Sequence, residues 1–210
     1  YTHNHADHTY GATVFAEDSN PDIYAHDSTE EYLSRVIGII RPIISSRSNR
    51  MFGNSLPKSE VENNGIGPFL AIGRDGRLPG LLYPTKTFSD RIKFEAGGVK
   101  VELFHAPGET NDQLFVWLPE KKALFPGDNF YKTFPNLYTI RGTPYRDLAG
   151  WVNSIDMMRY LQPEFLIPSH TRPLVGQDSI NSILTTYRDG IQFVHDQTVR
   201  LMNLGLGPDD

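Results

Sequence analysis

Three histidines and an aspartate crowd into the first eight residues, in the order His3, His5, Asp7, His8. This cluster restricts the fold more tightly than any other feature, because such donors are useful only if later segments return to meet them. In an extended segment, residues two apart point the same way, so His3 and His5 can grip one ion. Asp7 and His8 fall at the turn into a helix read over residues 9–16 and can reach a second. The chain has 210 residues and no cysteine. Thiolate sites and disulfides are therefore excluded, and the donors left are imidazole and carboxylate. That set suits Zn2+ and tolerates Fe or Mn. The bland alternative is a solvated histidine-rich terminus, which would leave the donors further along without a purpose.

The net charge of -5 argues against nucleic acid as a partner, since phosphate binding wants a basic face. No stretch approaches the roughly 18 apolar residues of a membrane span. Short strands are read at 22–26, 90–98, 99–108, 112–120, 122–128 and 164–170, each rich in β-formers and bounded by turn residues. A helix over 27–43, with Ser28 or Thr29 as its cap, runs up to Pro42. A second helix spans 146–163, with Leu148, Trp151, Ile155, Met158 and Leu161 on one side as core. A third covers 177–205 as one helix or a pair, with Gly190 as its weak point. From 45 to 84 the composition shifts to Asn, Gly, Ser and Pro, which reads as a substrate-side loop. The expected organisation is a catalytic domain over 1–175 with an insertion at about 45–84. A C-terminal helix or helix pair over 176–210 would then lead toward a further domain.

The order of the donor-bearing segments carries more. H-x-H-x-D-H is followed by "HAPGETND", "LFPGDN" and "IPSH", each at a strand end. In this the chain resembles the metallo-β-lactamase superfamily. The run from "APGETNDQL" through "NLYTIRGTPYRD" to "SHTRP" is similar to the alkylsulfatase branch, which has glutamate where other branches carry histidine. The resemblance implies an αββα sandwich, an α/β fold with the metals at one edge. It implies two Zn2+ ions: His3, His5 and Glu109 on the first, Asp7, His8 and His170 on the second, and Asp128 bridging them. Bacterial alkylsulfatases more often place glutamate at the bridge, so Asp128 is a departure. Asp112, three residues past Glu109, is a rival donor and otherwise a turn cap. A sandwich of this kind also needs a sheet ahead of the histidines. The expectation is that an upstream segment supplies it, or that the chain packs as a homodimer.

Charge then points to the substrate. Two divalent ions against Asp7, Glu109, Asp128 and a hydroxide sum to a neutral site, with little left to attract an anion. The metals would lower the pKa of that bound water and make it the nucleophile, with Asp7 and Asp128 as the catalytic carboxylates. An anionic substrate needs its own cation. Arg141 offers a planar fork for a sulfate group and Asn136 a neutral donor, the roles the resemblance gives them. Otherwise Arg141 pairs with Asp147 or a core acid and Asn136 caps a turn. Lys132 and Arg146 are auxiliary-cation candidates read first as surface or structural, His105 a candidate contact to the ligands read first as structural, and His26 and His195 are read as structural. Tyr131 and Tyr138 are read as packing residues and Thr2 as a turn residue.

The expected activity is hydrolysis of small alkyl sulfate esters, with Met51, Phe52, Leu56, Phe69 and Leu70 contacting the alkyl tail. The alternatives are a dinuclear hydrolase acting on a lactone, thioester or phosphodiester, and an inactive metal-binding fragment. Nothing in the residues points to a compartment.

Overall fold

In the computed structural model the chain divides into two units, Tyr1–Asp90 with Tyr138–Tyr145, and Arg91–Leu137 with Arg146–Asp210. Residues 1–16, 19–61 and 80–209 are described. The first unit opens with α1 (Ala6–Thr9) and α2 (Ala12–Ala16). The sequence suggests one helix here, but the poor helix former Gly11 lies between the two. Strand β1 (Tyr24–His26) leads into α3 (Thr29–Ser34), which continues as a π-helical turn, Arg35–Ile39. Pro42 does not end the helical region as expected. It sits in the first turn of α4 (Arg41–Met51), where its missing N–H costs nothing. The turn-rich reading from residue 45 is thus corrected over 45–51, where a Ser- and Asn-rich segment is helical despite its low propensity. Phe69 and Leu70 lie outside the described residues. Strand β2 (Lys86–Phe88), too short to be read from sequence, pairs in parallel with β1 from Tyr24↔Lys86 to His26↔Phe88.

The second unit is built on a six-stranded sheet. β3 (Arg91–Ala96), β4 (Val99–His105), β5 (Leu114–Leu118) and β6 (Ala123–Phe125) form an antiparallel meander. A parallel strand next to β6 requires a crossover. The helix α5 (Leu148–Tyr160) lies within that crossover, and β7 (Phe165–Leu166) follows, with β8 (Leu174–Val175) antiparallel on it. Asp147 caps α5, its side chain accepting from Ala149 N at 3.1 Å.

The core of this unit is the expected apolar stripe meeting the sheet. Trp151, Ile155 and Met158 of α5 are fully buried with Phe115, Leu124 and Leu166 of the strands. Leu148 and Leu161 are partly buried against that cluster. The long α6 (Gln177–Asn203) adds Ile180, Leu184 and Ile191. It runs unbroken through Gly190, because neighbouring turns and packing outweigh a penalty of about 1 kcal/mol. Phe104 of β4 stacks on Phe115 of β5 at 4.8 Å, the pair lying directly opposite in the ladder. Sheets with helices packed on them make a mixed α/β fold, the class expected from sequence.

Candidate metal centre

Within the first unit, chain direction brings the opening donors together. His5 is the extended residue before α1, and its carbonyl accepts from His8 N at 3.0 Å and from Thr9 Oγ1 at 3.0 Å. That single turn folds His8 back over His3, with ring centroids 4.2 Å apart. His3 is fully buried, and its Nε2 lies 2.9 Å from His5 Nδ1. Two neutral imidazoles this close satisfy each other through one proton, whereas a cation would satisfy both. Asp7 Oδ2 stands 3.3 Å from His8 Nε2. Thr2 is more than a turn residue. Its hydroxyl lies 3.2 Å from His3 Nδ1 and 3.4 Å from His8 Nδ1, the kind of contact that fixes ring orientation in ligating histidines.

In the second unit the donors come from strand ends. After β6, the turn Gly127–Asn129 starts with Gly127 at φ 57, a conformation glycine adopts without strain. It turns Asp128 off the strand, and Asp128 Oδ2 lies 3.2 Å from His170 Nε2. Next to it, Asn129 ties this turn to the β4–β5 loop. Its Nδ2 donates to Ala106 O at 2.6 Å, its Oδ1 accepts from Glu109 N at 3.1 Å, and its carbonyl accepts from Trp151 Nε1 at 3.0 Å. Glu109 is buried, and both its oxygens accept from Arg146, Nη2 and Nη1 each at 2.6 Å. Arg146 is itself 3% exposed. Removing one partner of such a pair typically costs about 3–5 kcal/mol. Asp112, the rival donor, is fully buried in the same loop. The ring of His105 instead lies 2.8 Å from Asn111 O, that of His26 2.9 Å from Ser28 Oγ, and that of His195 2.9 Å from Asp196.

The two residues expected to hold sulfate fall on different units. Arg141 belongs to the first, with its Nη1 3.9 Å from Met51 Sδ. Asn136 belongs to the second. Its N–H donates to Tyr131 Oη at 3.1 Å and its carbonyl accepts from Arg146. Tyr138 is exposed.

Burial pushes the Tyr131 phenol up from 10.0 to about 12, with the Glu109 charge adding to it, and burial raises Tyr187 as well. Both phenols are therefore neutral in the folded protein where they would already ionise in the unfolded chain. Their contribution to stability is complete below pH 10 and is lost as pH rises through the folded value. Urea midpoints should fall with pH above 10, and Tyr131→Phe should flatten that fall. An unchanged slope in the variant would exclude this origin.

The donor loops match a known pattern. Residues 1–170 fit the model of the metallo-beta-lactamase superfamily. The chain belongs to this superfamily. Within the superfamily it is similar to alkylsulfatases. A linear primary-alkylsulfatase of Pseudomonas sp. (strain ATCC 19151) is 34% identical over 100% of this chain and 40% of its own length. The alkyl/aryl-sulfatase BDS1 of Saccharomyces cerevisiae is 28% identical over 98% of this chain and 33% of its own. The structure of a double mutant of the sec-alkyl sulfatase PisA1 superposes with a TM-score of 0.84, at 25% identity, over 98% of this chain and 34% of that one. The chain thus spans less than half the length of the curated relatives it matches. The superfamily fold implies divalent metal binding, and the His and Asp clusters of each unit offer donors of the right chemistry. From sequence, Thr2 is read as a turn residue, Arg146 first as a surface or structural cation, and Gly108 and Asn129 are given no role. Each carried a local signal: Thr2, Gly108 and Asn129 adjoin His3, Glu109 and Asp128, and Arg146 lies in the run "NLYTIRGTPYRD".

Proposed function

We propose that this chain carries the catalytic centre of a zinc-dependent alkylsulfatase, hydrolysing alkyl sulfate esters to alcohol and inorganic sulfate. The observation that carries the reading is the likeness to a linear primary-alkylsulfatase along the whole chain. The two donor groups described above support it. In this reading His3, His5 and Glu109 would hold one ion, Asp7, His8 and His170 the other, and Asp128 would serve both. The set holds imidazole and carboxylate and no thiolate, which fits Zn2+. Bound divalent ions lower the pKa of water enough to supply a nucleophile near neutral pH.

The rest is the work of this chain's side chains. Arg141 grips two sulfate oxygens with its fork, and the Asn136 amide donates to a third. Asp7 and Asp128 accept hydrogen bonds from the attacking water and fix its approach. One water is consumed as the ester is split, giving the alcohol and inorganic sulfate with one proton released. Half-buried Met51 and Phe52 and the more exposed Leu56 offer apolar surface to the alkyl tail, worth about 0.8 kcal/mol per buried CH2. The decisive measurement is inorganic sulfate released from dodecyl sulfate by the full-length protein, before and after a chelator. Chelator-sensitive release is expected. Absence of release from metal-loaded protein would end the sulfatase reading.

A further inference from the structure

We infer that Arg146 is a positioning residue, a strut that sets the plane of the Glu109 carboxylate and locks it to the Asn136 segment. The inference rests on the reading of Glu109 as a metal ligand and goes beyond it by assigning Arg146 a role. The pair is buried and bidentate, and it carries a third contact. Both Nη atoms of one guanidinium donate to the two oxygens of Glu109, each at 2.6 Å. Nη1 also donates to the carbonyl of Asn136. The two partners are 27 residues apart in sequence (136 − 109) and lie on different loops. The Asn136 N–H is held at its other side by Tyr131 Oη at 3.1 Å. A single planar group thus joins the loop carrying a metal donor to the loop carrying a sulfate donor.

The fork matters more than the charge. A carboxylate held in plane by two parallel N–H donors keeps its remaining lone pairs in fixed directions, so it meets a cation without first losing rotational freedom. Lysine is a point charge on a flexible stem. It can satisfy one oxygen but sets no plane. Arg146→Lys therefore separates positioning from neutralisation, and it leaves a cation beside the buried Glu109 so that folding survives. Partners of metal ligands typically cost about 10–100-fold in metal affinity when lost.

The test compares the full-length protein with Arg146→Lys and Arg146→Ala, reading the Zn2+ dissociation constant by competition with a chromophoric chelator, the thermal midpoint, and kcat and KM for dodecyl sulfate. The expected result for Arg146→Lys is a midpoint close to the parent's, Zn2+ affinity about tenfold weaker, and a kcat lowered more than KM is raised. Millimolar methylguanidine should restore part of the Zn2+ affinity of Arg146→Ala and none of that of Arg146→Lys, where the lysine fills the space. Zn2+ affinity of Arg146→Lys within twofold of the parent overturns the inference, and so does a parent protein that binds no Zn2+. A parent that binds Zn2+ but releases no sulfate overturns the sulfatase reading alone, because the affinity comparison stands without turnover.

Discussion

Replacing Asp128 with asparagine is expected to lower sulfate-ester turnover by about 10³-fold or more and to reduce the metal bound per chain, with the fold intact. Asn keeps the volume and one oxygen of the side chain, so the turn after β6 and the hydrogen bonding of neighbouring Asn129 are undisturbed. What it removes is a full negative charge 3.2 Å from His170 Nε2, on a side chain that is buried and therefore poorly screened. In the proposed centre this is the carboxylate shared by both ions. Charge stabilisation by metals supplies several kcal/mol to a transition state, and each loss of about 1.36 kcal/mol is tenfold in rate. Losing about 4 kcal/mol therefore corresponds to three orders of magnitude. Steady-state rates and elemental analysis of the purified variant check this together. A variant that keeps two ions and turns over within a few-fold of the parent would remove Asp128 from the centre.

Much of this architecture is legible in the residues because its signals are local. The strand pattern over 91–125 needs only alternation and turn residues, and the stripe from Leu148 to Leu161 needs only helical spacing. The donor loops are legible because they repeat a known order of short motifs. What escaped reading depends on partners far apart in sequence or on context that overrides propensity. Pro42 reads as a stop because a proline cannot continue a helix, yet the same residue is well suited to begin one. β8 (Leu174–Val175) holds only two residues, too few for any period to register, whereas β7 lies inside the strand read at 164–170. Arg146 stands beside Asp147 in a segment rich in turn residues, where a surface role is the natural reading. Its partner Glu109 lies 37 residues earlier (146 − 109), and nothing in spacing links the two.

Gly108→Ala is expected to be the most destabilising single methyl in the chain's candidate site, lowering stability by about 3–5 kcal/mol. A Cβ at this position would meet Asn129 Oδ1 at 2.2 Å and the Trp151 ring at 2.7 Å. Neither neighbour can yield. The Asn129 amide is bonded at both ends, to Ala106 O and to Glu109 N. Trp151 is fully buried, with its indole N–H donating to Asn129 O at 3.0 Å. Overpacking costs about 1–3 kcal/mol, and breaking the buried Asn129 bonds adds about 1–3 kcal/mol. At about 2–4 °C per kcal/mol for a chain of this size, the thermal midpoint should fall by roughly 10 °C. Gly11→Ala is the control. No atom of the described residues lies within 4 Å of its Cβ position and its φ is ordinary, so its midpoint should hold or rise slightly. The loop that Gly108 keeps tight also carries Glu109, whose backbone N–H is one of the bonds at risk. Metal affinity should therefore fall in Gly108→Ala even at temperatures where the variant is folded. A variant as stable as Gly11→Ala would mean that the loop relaxes around the added methyl, and that Asn129 does not hold Glu109 in place.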